Sequence, residues 1–156
     1  MNTGKSMTIV CATDFSAPSQ AALDAALDVA KQLGATRLHL LHVDETIERF
    51  AAATDAEARF AMEYGRLQDE ARALVSTIAR ESGERSGLEV VPEFRVGSAY
   101  LEVVQYATEV HADLIVVGTH GRTGLKRAFM GSVAERIVRH AACSVLAVKE
   151  KAPPAA

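Results

Sequence analysis

This sequence predicts an α/β domain of the doubly wound kind: a five-stranded parallel sheet in the order 3-2-1-4-5, with helices on both faces. Two observations carry the prediction. Five short apolar runs alternate with longer stretches whose apolar residues recur every three or four positions, the patterns of strands and amphipathic helices in turn. At least four of those runs are near-continuously apolar, as strands covered on both faces must be.

The first strand is read at residues 8–12, and the capping and helix-start residues from Thr13 to Pro18 follow it. Leu23, Ala26, Leu27, Ala30 and Leu33 then mark one face of a helix that stops at Gly34, where a left-handed turn is easily made. Residues 38–43 form the second strand. Residues 44–58 lose the pattern and are expected to be a connection, with a short helix or a lid over the site as its possible forms. A long helix is expected over residues 57–81, with Tyr64, Leu67, Ala71, Leu74, Val75 and Ile78 on one face and a Gly/Ser turn over 82–87. The third strand, 88–96, contains Pro92, which lacks a donor and belongs at a sheet edge. Gly97 and Ser98 open a third helix carrying Leu101, Val104, Ala107 and Val110, and residues 114–117 form strand four. Ser132 and Glu135 match a capping box for a last helix reaching His140, and Ser144 to Val148 is strand five.

The chain has 156 residues, 49% hydrophobic and 24% charged, so one globular domain over 1–150 with a frayed tail over 151–156 is expected. Its net charge of -3 and its pI near 5.9 give no global basic field for nucleic acid or an anionic membrane. No apolar run is long enough to span a bilayer, and residues 7–12 are too short for a signal-peptide core, so a cytoplasmic location is expected. Cys11 and Cys143 have no metal or redox spacing and read as buried thiols. His39 and His42, three apart on a strand, should point to opposite faces, and His120 is expected to be exposed.

The chemistry concentrates after strand four. Residues 118–132, GTHGRTGLKRAFMGS, hold four glycines and the cations Arg122, Lys126 and Arg127. In open α/β sheets ligands sit beyond the carboxyl ends of the strands where the strand order reverses, here between strands one and four. Asp14 and Gly118 therefore face one crevice, in which Asp14 can hold a ribose hydroxyl. Glycines let the main chain approach a ligand closely, and the helix start at Ser132 offers unpaired N–H donors, a combination suited to phosphate. Neither a Walker loop nor a dinucleotide fingerprint follows strand one.

The spacing Gly118-x2-Gly121-x9-Gly131-Ser132 resembles the ATP-binding signature of the universal stress protein (UspA-like) family. Residues 9–16 resemble that family's opening strand and acidic turn, and residues 140–148 its closing strand. Ser144 stands where the family often has proline, and Gly124 is an additional glycine. The resemblance implies a Rossmann-like fold of the adenine nucleotide alpha hydrolase type and a site for ATP, ADP or AMP with Mg²⁺ or Mn²⁺ at the phosphates. It places Asp14 at the ribose or adenine, the main chain of Val43 at adenine, and Gly118, Gly121, Arg122, Gly131, Ser132 and Val133 around ribose and phosphates. Thr13 and Thr119, beside them, complete the expected binding set. It also implies a homodimer through Ser144 to Val148, an apolar edge strand open to pairing.

The same residues have ordinary explanations. Ser132 can be a helix cap, Asp14 a turn former, and the glycines hinges of a strand-to-helix turn. No catalytic triad or dyad can be assembled, and Asp14 is the one carboxylate that sequence places in the crevice. Three functions are therefore carried forward: a dimeric ATP-binding stress regulator; a slow ATPase or self-phosphorylating enzyme using Ser132 or Ser16; and a dimerising scaffold without nucleotide.

Overall fold

A computed structural model of the chain describes residues 6–46, 57–120 and 130–151. Its elements are β1 (Thr8–Thr13), α1 (Ala17–Gln32), β2 (Arg37–Asp44), α2 (Glu57–Ser86), β3 (Glu89–Val96), α3 (Ala99–Glu109), β4 (Leu114–Gly118), α4 (Ser132–His140) and β5 (Ser144–Val148). The strands form one sheet ordered β3-β2-β1-β4-β5, with every neighbouring pair parallel, as the sequence predicts. Pro92 lies in β3, at one edge.

Period-two alternation divides the three central strands between two cores. Ile9, Cys11, Leu38, Leu40 and Val116 meet Leu23 and Leu27 of α1 and Val75 and Ala79 of α2. On the opposite face Val10, Leu41, Ile115 and Val117 meet Val103, Tyr106 and Ala107 of α3 and Ala134 and Ile137 of α4. Cys11 is fully buried, and burial, aided by the charge of Asp24, pushes its thiol up to about 12. Cys143 is only half-buried, contrary to expectation.

Local signals set most boundaries. Ser16 caps α1, its side chain accepting from Ser19 N at 3.3 Å. Gly34, at φ 67°, ends that helix in a Schellman turn, with Ala35 N donating to Ala30 O at 2.8 Å. Three expectations are corrected. Helix α2 runs through residues 82–86, and Gly87 at φ 75° stops it. Ser82 is buried, and a Cβ on Gly83 would lie 3.1 Å from Leu88 O, so this glycine permits close approach of helix and strand rather than breaking the helix. Leu67 and Leu74 are exposed (46% and 44%), since the stripe facing the sheet runs through Val75, Ala79 and Ser82. In α3 the buried face is Val103, Tyr106 and Ala107, while Leu101 is exposed, because that helix is apolar on more than one side.

Tyr106 can be buried because its hydroxyl lies 2.8 Å from His39 Nδ1. Burial, reinforced by the charge of Arg37, lowers the His39 pKa, and Glu93 and Glu89 only partly oppose this. A depressed histidine pKa means that the unfolded chain binds the proton more readily than the folded one. Stability from this group is therefore complete above the unfolded value, about 6.5, and is lost as pH falls from there through the folded value. The chain should be less stable to urea at mildly acidic than at neutral pH, and His39→Gln should shrink that difference. Superimposable pH profiles for the two proteins would contradict this assignment.

Candidate nucleotide-binding crevice

The chain leaves β1 into α1 on one face of the sheet and leaves β4 towards α4 on the other. These exits diverge at the point where strand order reverses, and a cavity of about 360 Å³ opens there. Of the expected binding residues, Thr13, Asp14, Val43, Gly118, Thr119, Gly131, Ser132 and Val133 all line it. Gly121 and Arg122, like Gly124, Lys126 and Arg127, lie outside the described residues. So does most of the suggested lid, since residues 47–56 are not described.

At the β1 exit, Asp14 Oδ1 accepts from Ser16 N at 3.0 Å and from the Ser16 hydroxyl, which makes Asp14 a turn former as well as a crevice residue. Phe15 sits at φ 66°, and its ring stacks on His42 with centroids 4.2 Å apart. His42 donates from Nδ1 to the Thr13 carbonyl at 2.8 Å. His39 and His42 thus serve opposite faces, as the strand period requires.

At the β4 exit, Gly118 passes so close to α1 that a Cβ would lie 3.0 Å from Pro18 O. Thr119 then ties three elements together: its N donates to Val148 O at 2.9 Å, and its carbonyl accepts from Gly131 N at 2.6 Å. The cap of α4 is Gly131, at φ -60° and ψ 154°, with no side-chain hydrogen bond. This corrects the capping-box reading: Ser132 is the first helical residue, one position too late to cap. The first-turn N–H groups of α4 thus lack an intrahelical acceptor and a side-chain cap, and they include those of the crevice residues Ser132 and Val133.

Sequence reasoning missed the contribution of β2. Asp44 and Glu45 also line the crevice, so Asp14 is not its one carboxylate. Both do structural work: Asp44 Oδ1 accepts from Thr46 N at 2.9 Å, and Glu45 Oε1 accepts from Ala99 N, at the start of α3, at 2.9 Å. Burial pushes the Asp44 pKa up, but hydrogen bonds from Thr46, Tyr64 and Gln68 outweigh it and hold the carboxyl below its ordinary value. The signal that could have located these residues is their place at the carboxyl end of the strand next to β1. His120 also differs from expectation: it is partly buried and lines the crevice, with Nδ1 2.9 Å from Thr119 Oγ1.

Among the described residues no lysine or arginine lines the crevice, and no group of three or more His, Cys, Asp or Glu could hold a metal. The arrangement offers backbone donors at one wall, carboxylate and carbonyl acceptors at another, and an apolar floor that includes Leu41 and Val117. This is the chemistry of a small ligand that is part anion, part hydroxyl and part apolar ring. Among the described residues, no helix is long and apolar enough to cross a membrane.

The sequence profile of the universal stress protein family matches residues 5–149. The chain is 34% identical over 142 residues to universal stress protein MJ0531 of Methanocaldococcus jannaschii, covering 91% of this chain and 81% of that one. It is 31% identical over 155 residues to MJ0577 of the same organism, covering 92% and 94%. The solved structure of MJ0577 matches with a TM-score of 0.80 over 94% of this chain and 98% of that chain. A universal stress protein solved in complex with cAMP matches at 27% identity and a TM-score of 0.64, covering 91% and 96%.

Proposed function

This chain belongs to the universal stress protein family, and from that premise we propose that it is an ATP-binding regulator of the stress response. One observation carries the reading: the cavity at the carboxyl ends of β1 and β4 gathers residues from β1, β2, β4 and α4 that suit the separate parts of a nucleotide. Asp14 serves the ribose or adenine, the main chain of Val43 serves adenine, and Gly118, Gly131, Ser132 and Val133 serve ribose and phosphates, with Thr13 and Thr119 beside them. Gly121 and Arg122 belong to the same proposal. The similarity to a relative solved with cAMP supports an adenine nucleotide as the ligand class.

Because the crevice carries acidic residues, bound ATP arrives with Mg²⁺ or Mn²⁺, held by its own phosphates and water rather than by a protein cage. The protein acts in the cytoplasm as a homodimer paired through β5, the edge strand opposite β3. Its nucleotide state alters the surface that protein partners meet. Solution scattering at rising concentration tests the dimer, and a persistently monomeric mass would reject that part of the reading.

Calorimetric titration of the nucleotide-free protein with ATP and Mg²⁺ tests the site. Gly131→Val keeps a backbone conformation that any residue adopts and sets a branched side chain at the cap of α4, where the phosphates are proposed to bind. It should weaken ATP binding at least about tenfold, or ~1.4 kcal/mol, with little loss of secondary structure. Equal affinity in both proteins would remove this crevice as the site. Phosphate release or a mass increase on the protein during incubation would instead mark an enzyme.

A further inference from the structure

Among the described residues, Nε2 of His120 is the buried side-chain nitrogen or oxygen without a hydrogen-bond partner. Its other ring nitrogen, Nδ1, lies 2.9 Å from the hydroxyl of Thr119, a residue only 5% exposed. That contact has two possible directions. If the hydroxyl donates to Nδ1, the ring proton sits on Nε2 and a single buried donor is unmatched. If Nδ1–H donates instead, both the hydroxyl hydrogen and the Nε2 lone pair are unmatched. Each buried unmatched polar group is costly, so the arrangement that leaves only one is favoured and Nε2 carries a hydrogen.

We propose that His120 donates this Nε2–H to a phosphoryl oxygen of the bound nucleotide, and so selects phosphorylated ligands over the bare nucleoside. The inference rests on the nucleotide-binding reading above and adds a residue to that site. Two features favour a phosphoryl oxygen over ribose or base. His120 follows Thr119, whose carbonyl takes the Gly131 N–H at 2.6 Å, and this places its chain position beside the uncapped start of α4. The carboxylates of the crevice belong to the other exits, after β1 and β2. A hydrogen bond from imidazole to an anionic oxygen is also stronger than one to a neutral acceptor.

The test titrates adenosine, and ATP with Mg²⁺, into the full chain and its His120→Asn and His120→Gln variants. Asparagine places an amide near Nδ1 and keeps a partner for Thr119, but offers nothing at Nε2. Glutamine reaches the Nε2 position with an N–H. His120→Asn should weaken ATP binding about tenfold or more while adenosine stays within about twofold, and His120→Gln should restore most of the ATP affinity. Thermal unfolding without ligand should not fall below that of the parent for His120→Asn, which keeps the Thr119 partner, and should fall for His120→Gln, which gives that partner up. If the parent binds ATP and His120→Asn binds it equally well, the inference falls and the site stands. An equal loss for adenosine and ATP also overturns it, since the residue would then act through the fold or the base. A parent that binds neither ligand overturns the nucleotide reading itself and takes this inference with it.

Discussion

Gly118→Ala should lower the free energy of unfolding by about 1–3 kcal/mol, and Gly118→Val by more. The added Cβ would sit 3.0 Å from Pro18 O and 3.1 Å from Pro18 C. Both are backbone atoms in the first turn of α1, so no flexible side chain can swing away. Relief requires α1 to shift against β4, and α1 supplies Leu23, Ala26 and Leu27 to the core on that face. Urea unfolding monitored by circular dichroism measures the loss. Stability equal to that of the parent would mean that this glycine is retained for the ligand alone. The expected result instead gives the first glycine of the motif two duties, since the residue that lines the crevice is also the one over which α1 closes.

Leu41→Ala should cost about 2–5 kcal/mol. Leu41 is fully buried and packs in the cluster with Val10, Val103 and Ile115, yet it also lines the crevice. The floor of the proposed site is thus the top of the hydrophobic core, and truncation leaves a void between β2 and α3. Equilibrium urea unfolding again provides the number. A loss below about 1 kcal/mol would show that the surrounding structure collapses onto the alanine, and that the floor is not rigidly packed.

Much of this architecture was readable from residue types. The run through Ile9, Val10 and Cys11 and the run from Leu114 to Val117 are apolar without alternation because both faces of the central strands are covered. Pro92 announced an edge, and β3 is one. Asp14 and Gly118 could be paired across a crevice because strand ends and switch points follow from topology rather than from side-chain detail.

The errors have physical causes of their own. Glycine and serine punctuate chains by default, so Ser82 and Gly83 read as a turn. The packing role of Gly83, which lets the end of α2 lie tightly against Leu88 and Val90, appears only once the chain has turned back at Gly87. The pattern of Ser132 and Glu135 mimicked a capping box because it does not reveal that Gly131 already occupies the cap. Asp44 and Glu45 escaped notice because no glycine or motif marks the end of β2, although its adjacency to β1 brings it to the same crevice. His120 read as a loop histidine because nothing local shows that Thr119 would hold its Nδ1.

The central claim is that the crevice between the β1 and β4 exits holds an adenine nucleotide. Its most direct test is to purify the protein without added nucleotide, denature it, and identify what is released by chromatography and mass spectrometry. Near-stoichiometric ATP, or ADP left by slow turnover, is the predicted result. Release of no nucleotide, followed by no detectable binding when ATP and Mg²⁺ are titrated in, would contradict the account.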